Sequence, residues 1–277
     1  KKMRKIAVAG LLLTLLIFSL NAKAAGEFRS LGGRASGMSG VSVALTDYWS
    51  AVNSPASNAW NQGISAGVFF ENRFMMKELS YKTVMVSACI KPGAFSFSCT
   101  HFGTGMYSEL KTGLGYARKF GKKFSAGLQL DYYRFQVSDG YGAANTFNCE
   151  AGLYFRPSRQ LAVGFHCINP VPVKLSWASG ESLPTLIRLG IAYNFTDELL
   201  ISAEAEKDPV SKACLRLGAE YRFAKTLSAR VGMATGPFRF SLGAGILISR
   251  FSIDLATEYS QVLGFSPAVS IQYQFKK

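Results

Sequence analysis

Histidine is nearly absent: His101 and His166 are the only two in 277 residues. A hydrolase built on a serine or cysteine nucleophile needs a base within reach and an acid to orient it. His166 has polar-face parity beside Gly164, His101 shares a face with Phe95 and Phe97, and neither stands in such an arrangement. Paired acids at a rim would be the other catalytic route, yet Glu204, Glu206 and Glu220 read as matched to arginines. An enzyme is therefore not expected. Also missing, after the first 25 residues, is any apolar run of about 18 residues, which argues against a helical membrane protein. Basic residues are not gathered into a patch with interleaved aromatics, so a nucleic-acid partner is not expected.

Cysteine is scarce and odd in number, five in all, so complete pairing within one chain is impossible. Cys89, Cys99 and Cys214 show no metal-ligand spacing, and nothing calls for a metal or an organic cofactor. Counting back from a turn at 156–160 sets Cys149 opposite Cys167 on one apolar face. A bridge between directly opposed strand residues is usually strained, and cysteine packs well as a small apolar residue. Free thiols are the favoured reading, with the bridge left open.

What the chain does have is alternation. From 185 to 275 apolar and polar positions exchange with period two through one short segment after another, the signature of strands. In ACLRLGAEYRF, Leu215, Leu217, Ala219, Tyr221 and Phe223 share one face, while Arg216, Gly218, Glu220 and Arg222 share the other. A soluble sandwich alternates too, but two features point elsewhere. Aromatics recur beside the tighter turns, as in Tyr193 and Phe195, Tyr221 and Phe223, Phe251, and Tyr273 and Phe275, which is the pattern of a membrane-interface girdle. Opposite charges also fall on neighbouring strands: counting from the turns pairs Arg188 with Glu206, Glu204 with Arg216, and Glu220 with Arg230. A polar inside with an apolar outside describes a transmembrane antiparallel β-barrel.

Strands are expected near 64–73, 80–90, 94–103, 107–120, 124–136, 146–156, 161–169, 184–195, 198–207, 213–223, 226–235, 238–248, 250–260 and 266–275. That makes about fourteen, an even number; twelve remains open because 94–107 is poorly patterned. Short connections alternate with longer ones at 136–146, 169–183 and 260–265. The chain is thus read as all-β, with its barrel in 63–277.

Residues 1–25 read as a secretory signal peptide: Lys1, Lys2, Arg4 and Lys5, then an apolar stretch 6–20, then Ala22-Lys23-Ala24. No cysteine follows the stretch, which argues against a lipoprotein. Five of the 31 basic residues lie in this leader, leaving 26 against 17 acidic ones, a surplus suited to anionic headgroups. Between leader and barrel, 26–62 is rich in glycine and small residues, with alternation only at Val41, Val43 and Leu45. A short helix is expected over 53–60, with Ser54 as cap and Pro55 in the first turn. The whole stretch is read as a small N-terminal plug inside the barrel.

The run GGRASGMSGVSVALTDYWSAVNSPASNAW, with Gly37-Met38-Ser39-Gly40, 41–45 and Asn53-Ser54-Pro55-Ala56, resembles the N-terminal segment of the FadL superfamily of outer-membrane barrels. The PorV/PorQ-type branch of type IX secretion organisms is the nearer likeness. LPTLIRLGIAYNF, 183–195, resembles the strand those proteins carry after a long loop. The family's Asn-Pro-Ala element is interrupted here by Ser54, and Lys276 and Lys277 follow the near-terminal aromatic Phe275. The resemblance implies a Gram-negative outer membrane, contact with its lipids, insertion by the barrel-assembly machinery and a monomer. It implies passage of a small hydrophobic molecule or, alternatively, partnership with subunits of a type IX-like secretion system. A gate would then involve Ser39, Gly40, Trp49, Asn53, Pro55 and Trp60. The lumen wall would offer Phe69, Glu71, Asp131, Arg188, Glu204, Arg216, Glu220 and Arg230, whose plainer role is to fix register. A partner would meet the longest loop at Pro170, Pro172, Leu175 and Trp177.

Overall fold

The computed structural model describes residues 28–138, 142–171, 173–174, 182–209, 212–224 and 226–276. The leader at 1–25 lies outside them, as do Pro172, Leu175 and Trp177.

Fourteen antiparallel strands close on themselves. In chain order they are β1 (Gly63–Asn72), β2 (Ser80–Ile90), β3 (Gly93–Thr104), β4 (Tyr107–Phe120), β5 (Phe124–Val137), β6 (Gly142–Phe155), β7 (Leu161–Ile168), β10 (Leu186–Asn194), β11 (Leu199–Lys207), β12 (Cys214–Arg222), β13 (Leu227–Ala234), β14 (Arg239–Ile248), β15 (Phe251–Ser260) and β16 (Gly264–Lys276). The two-residue strands β8 (Val173–Lys174) and β9 (Ser182–Leu183) pair separately within the loop between β7 and β10. β1 pairs with β16, so every barrel strand has two neighbours and no edge is left. The stretch 94–107, poorly patterned in sequence, forms full ladders on both sides of β3, which settles the count at fourteen. Two expected long connections are shorter than read: β6 begins at Gly142, not 146, and only 261–263 separates β15 from β16.

Closure turns the period-two pattern inside out relative to a soluble core. Leu114, Leu128, Leu130, Phe147, Leu215 and Leu255 are all exposed on the outer surface. Every acidic residue of the barrel strands faces inward: Glu71, Glu109, Asp131, Glu150, Glu204, Glu206, Glu220, Asp254 and Glu258. Charged side chains on the outer face are all basic: Lys82, Arg118, Arg134 and Lys207. An apolar exterior of this extent is stable only in a hydrocarbon surround. Girdle aromatics gather at the short-turn end, where Phe120 meets Phe124 at 6.2 Å, Tyr193 meets Phe195 at 4.7 Å, Tyr221 meets Phe223 at 4.9 Å, and Phe251 meets Tyr273 at 4.6 Å.

Leu130 sits halfway along β5 and is 68% exposed. Leu130→Arg is expected to destabilise the barrel by about 2–4 kcal/mol, the cost of a guanidinium at the bilayer midplane. Chemical unfolding in lipid vesicles reads this directly; an unchanged midpoint would show that this face does not meet hydrocarbon.

The register counted from the turns holds for all three charge pairs: Arg188 opposes Glu206, Glu204 opposes Arg216 and Glu220 opposes Arg230. It fails at the cysteines. Cys149 pairs with Leu130 and Cys167 with Ala151, two places out of opposition, and all five thiols are free. The cause is the 156–160 turn, where the Ser158 hydroxyl accepts the amides of Gln160 and Leu161 at 3.3 and 3.1 Å. That shifts the centre of the hairpin by one residue, so Phe155 opposes Val163.

Candidate functional site

Residues 28–62 pack against the inward faces of the strands, with three one-turn helices, α1 (Gly33–Ser36), α2 (Ser50–Asn53) and α3 (Pro55–Asn58). The short helix expected over 53–60 is α3, with Ser54 at its N-cap position; α2 before it is unexpected, and the extended backbone of Ser54 separates the two. Pro55 opens α3, but Ser54 makes no side-chain cap bond. The alternating Val41, Val43 and Leu45 form no strand. All three are buried, and the local amides bond to the wall instead of to another strand.

Small residues let this segment approach the wall closely, because the wall lacks side chains where it does so. Three inward glycine pairs face each other across the ladder: Gly127 with Gly152, Gly164 with Gly190, and Gly218 with Gly232. A methyl carbon on Gly127 would lie 2.6 Å from the Pro55 carbonyl carbon, and one on Gly218 would lie 2.7 Å from Cβ of Met38. On Gly232 it would meet the Met38 backbone and the Ser39 nitrogen, the latter at 2.6 Å. Ser39 itself holds a left-handed backbone (φ 52°), fixed by its amide donating to Ser241 Oγ at 2.7 Å. Gly232→Val is therefore expected to loosen the segment by about 1–3 kcal/mol, the usual penalty for overpacking. Faster tryptic cleavage at Arg34, with the barrel's mobility on unheated gels unchanged, would report it.

Charge does the rest. Glu204 is wholly buried: Oε2 accepts the amides of Ser42 and Val43 at 2.9 and 3.0 Å, and Oε1 accepts Arg188 and, at 3.1 Å, Arg216. Arg188, also wholly buried, donates onward to the hydroxyls of Ser30 and Ser42 at 2.9 Å each, and to the carbonyls of Gly40 at 3.2 Å and Asn53 at 3.4 Å. The segment sends two arginines into the wall. Arg34 grips Glu220 with two bonds of 2.7 and 2.8 Å, and Glu220 also accepts Arg230 at 2.7 Å. Arg29 bridges Glu71 at 2.6 Å and Glu258 at 3.0 Å. Burial outweighs Arg34 in setting Asp47 of the segment, so its carboxyl is held above the ordinary aspartate range.

The residues singled out from sequence thus converge. Ser39, Gly40, Asn53 and Pro55 touch the wall or its arginine. Trp49 is buried edge-on to Phe69 at 5.7 Å, and Trp60 donates to Ser125 Oγ at 2.9 Å at the short-turn mouth. Pro170 is exposed. Sequence reasoning did not single out Arg29, Arg34, Asp254 or Glu258 as site residues. Of a second buried group it placed only Asp131 on the wall, 3.3 Å from Lys111, and passed over Glu150, which takes Lys111 at 2.5 Å and His166 at 2.8 Å. The signal available was parity alone: Glu150, Lys111 and His166 all lie on polar faces, but on three different strands.

Open spaces remain inside the barrel, one of them beside Arg34, Asp47, Tyr48 and Asp254. Toward the long loops, Phe28, Leu31, Val52, Tyr81, Phe102 and Tyr133 line a mostly apolar cavity of about 40 Å3; Arg29, Lys111 and Glu109 border it. Above it Leu183, from the loop after β7, packs on Phe135 and Ala144. Toward the short turns, Leu45, Thr46, Tyr154, Arg156, Arg159 and Asn194 border a wider polar vestibule. The ladders around the apolar cavity run unbroken from β1 to β5.

No protein-family model matches the chain, and no curated protein does. Solved structures do match in fold. A FadL homologue from Pseudomonas aeruginosa has a TM-score of 0.72 at 14% identity, over 91% of this chain and 100% of that one. The monoaromatic hydrocarbon channel CymD gives 0.67 at 14%, over 90% and 98%. The Ralstonia pickettii toluene transporter TbuX gives 0.67 at 13%, over 90% and 99%.

Proposed function

We propose that this chain is a monomeric outer-membrane barrel of a Gram-negative bacterium that admits small apolar molecules, with residues 28–62 as its plug. The observation that carries this reading is the cavity at the long-loop end. Its walls are mostly ring and branched side chains, its two bordering cations are already engaged by carboxylates, and its one acid, Glu109, accepts the Tyr107 hydroxyl at 2.6 Å. A molecule entering there must widen the cavity against the plug, at Phe28, Leu31 and Val52, so both binding and passage toward the vestibule require the plug to shift. The fold's likeness to channels named for monoaromatic hydrocarbons agrees with that chemistry. The secretion-partner alternative would need an apolar outer loop; of its four residues only exposed Pro170 lies among those described, and it gains no support from the folds that match.

Liposomes holding the intact protein are expected to take up labelled toluene faster than protein-free liposomes. Val52→Glu, which places an unpaired carboxylate in the cavity, should cut the protein-dependent rate at least about tenfold if even part of the desolvation penalty is felt. Thr100→Trp, which fills the cavity from the wall side, should do the same without touching the plug. Uptake equal to protein-free liposomes would overturn the reading, and uptake insensitive to both variants would move the route away from this cavity.

A further inference from the structure

The outer surface at the short-turn end is uneven in charge. Across the six neighbouring strands β2 to β7, the three short turns carry Lys91, Lys122, Lys123, Arg156 and Arg159, and neither turns nor adjoining strand ends hold an acid. The next turn, between β10 and β11, carries Asp197 and Glu198. Within the basic arc one cation stands apart. Arg118 lies two residues inside the end of β4 on the outer face, flanked by Tyr116 and Phe120 and opposed by Ala126. It is exposed, and neither it nor Lys122 or Lys123 forms an ion pair among the described residues.

A guanidinium on the hydrocarbon-facing side of a barrel must reach the headgroup layer and find an anion there. Tyr116 and Phe95, 4.9 Å apart, together with Phe120 supply an apolar surface directly beside it for an acyl chain. Lys122 and Lys123, one turn further out, complete a cradle for a phosphodiester. We propose that this face of β3 to β5 is a binding site for one anionic phospholipid, its phosphate held by Arg118, Lys122 and Lys123. The site rests on the membrane-spanning barrel and is independent of what passes through the lumen. Arg156 is excluded from it because its guanidinium turns inward over the Trp60 ring at 5.7 Å.

Native mass spectrometry of the detergent-solubilised protein, titrated with phosphatidylglycerol or phosphatidylcholine of identical chains, tests this. Phosphatidylglycerol should be retained, and Arg118→Gln with Lys122→Gln and Lys123→Gln should weaken its retention by about a hundredfold, as the loss of three surface cations implies. A matched double variant at the far end of the outer face, Lys82→Gln with Arg134→Gln, should leave retention unchanged. Heat-dependent gel mobility and toluene uptake should be normal in both, which separates this outcome from a failure to fold or a failure of the channel reading. Equal retention of the two lipids overturns the proposal, as does an unaltered triple variant. Displacement by free glycerol phosphate at matched concentration would show an anion site rather than a lipid site.

Discussion

A chain lacking residues 28–62 conducts ions steadily in planar bilayers at voltages where the intact protein is closed: this is the largest effect the structure predicts. Eight-stranded barrels are filled by their own side chains, whereas sixteen- to eighteen-stranded ones hold an aqueous channel. Fourteen strands lie near the second case, and the wall here withdraws still further through its facing glycine pairs. Selectivity is expected as well. Of the described strand side chains facing inward, nine are acidic, and seven are basic: Lys111, Lys119, Arg188, Arg216, Arg222, Arg230 and Arg239. Without Arg29 and Arg34 the emptied lumen carries a negative excess, so potassium should be preferred over chloride. A truncated protein that stays closed would show that the wall and outer loops block the lumen by themselves.

Glu204→Ala should open the same pore with a single substitution. It removes the nearest carboxylate from Arg188, one acceptor from Arg216 and the acceptor of two segment amides, all in a region where the Arg188 and Glu204 side chains have no exposure. Breaking a buried pair by deleting one partner costs about 3–5 kcal/mol when the other charge is left unpaired, and Glu206, 3.6 Å from Arg188 and 2.8 Å from Arg216, offsets only part of that. Here that cost is avoided if the segment withdraws and water enters, so the expected readout is conductance more than global unfolding. Glu206→Ala is the contrast. Glu206 lies 2.8 Å from Arg216 but is partly exposed, and Arg216 keeps Glu204, so the loss should stay under about 1 kcal/mol with the pore closed. Should the two variants behave alike, the segment is not held by Glu204.

The barrel was legible in sequence because its information is local. Alternation and turn spacing lie within twenty residues, and the three charge pairs follow once each hairpin is counted from its turn. Counting failed at Cys149 and Cys167 for an equally local reason, the Ser158 hydroxyl that resets the 156–160 turn. The interior was less legible. Ser39, Asn53 and Arg188 stood out by residue type and face, but Arg29 reaches Glu258 and Arg34 reaches Glu220 through space, and no periodicity links them. Val41, Val43 and Leu45 alternate without forming a strand because alternation beside a wall of glycines serves burial without pairing. Gly164 and Gly232 looked like spacing on a polar face; their purpose shows only with the segment in place.

The placement of that segment also orders events in time. It is made first, yet its anchors are on strands made last: Gly33 donates to Ser270, Arg29 holds Glu258 and Ser39 holds Ser241, separations of 237, 229 and 202 residues. Contacts so remote along the chain form late, since the loop they close must first be drawn together. Each newly inserted molecule is then a leak until its N-terminal end seats. A cell making this protein is expected to lose small ions in proportion to the rate of synthesis, more than to the amount accumulated.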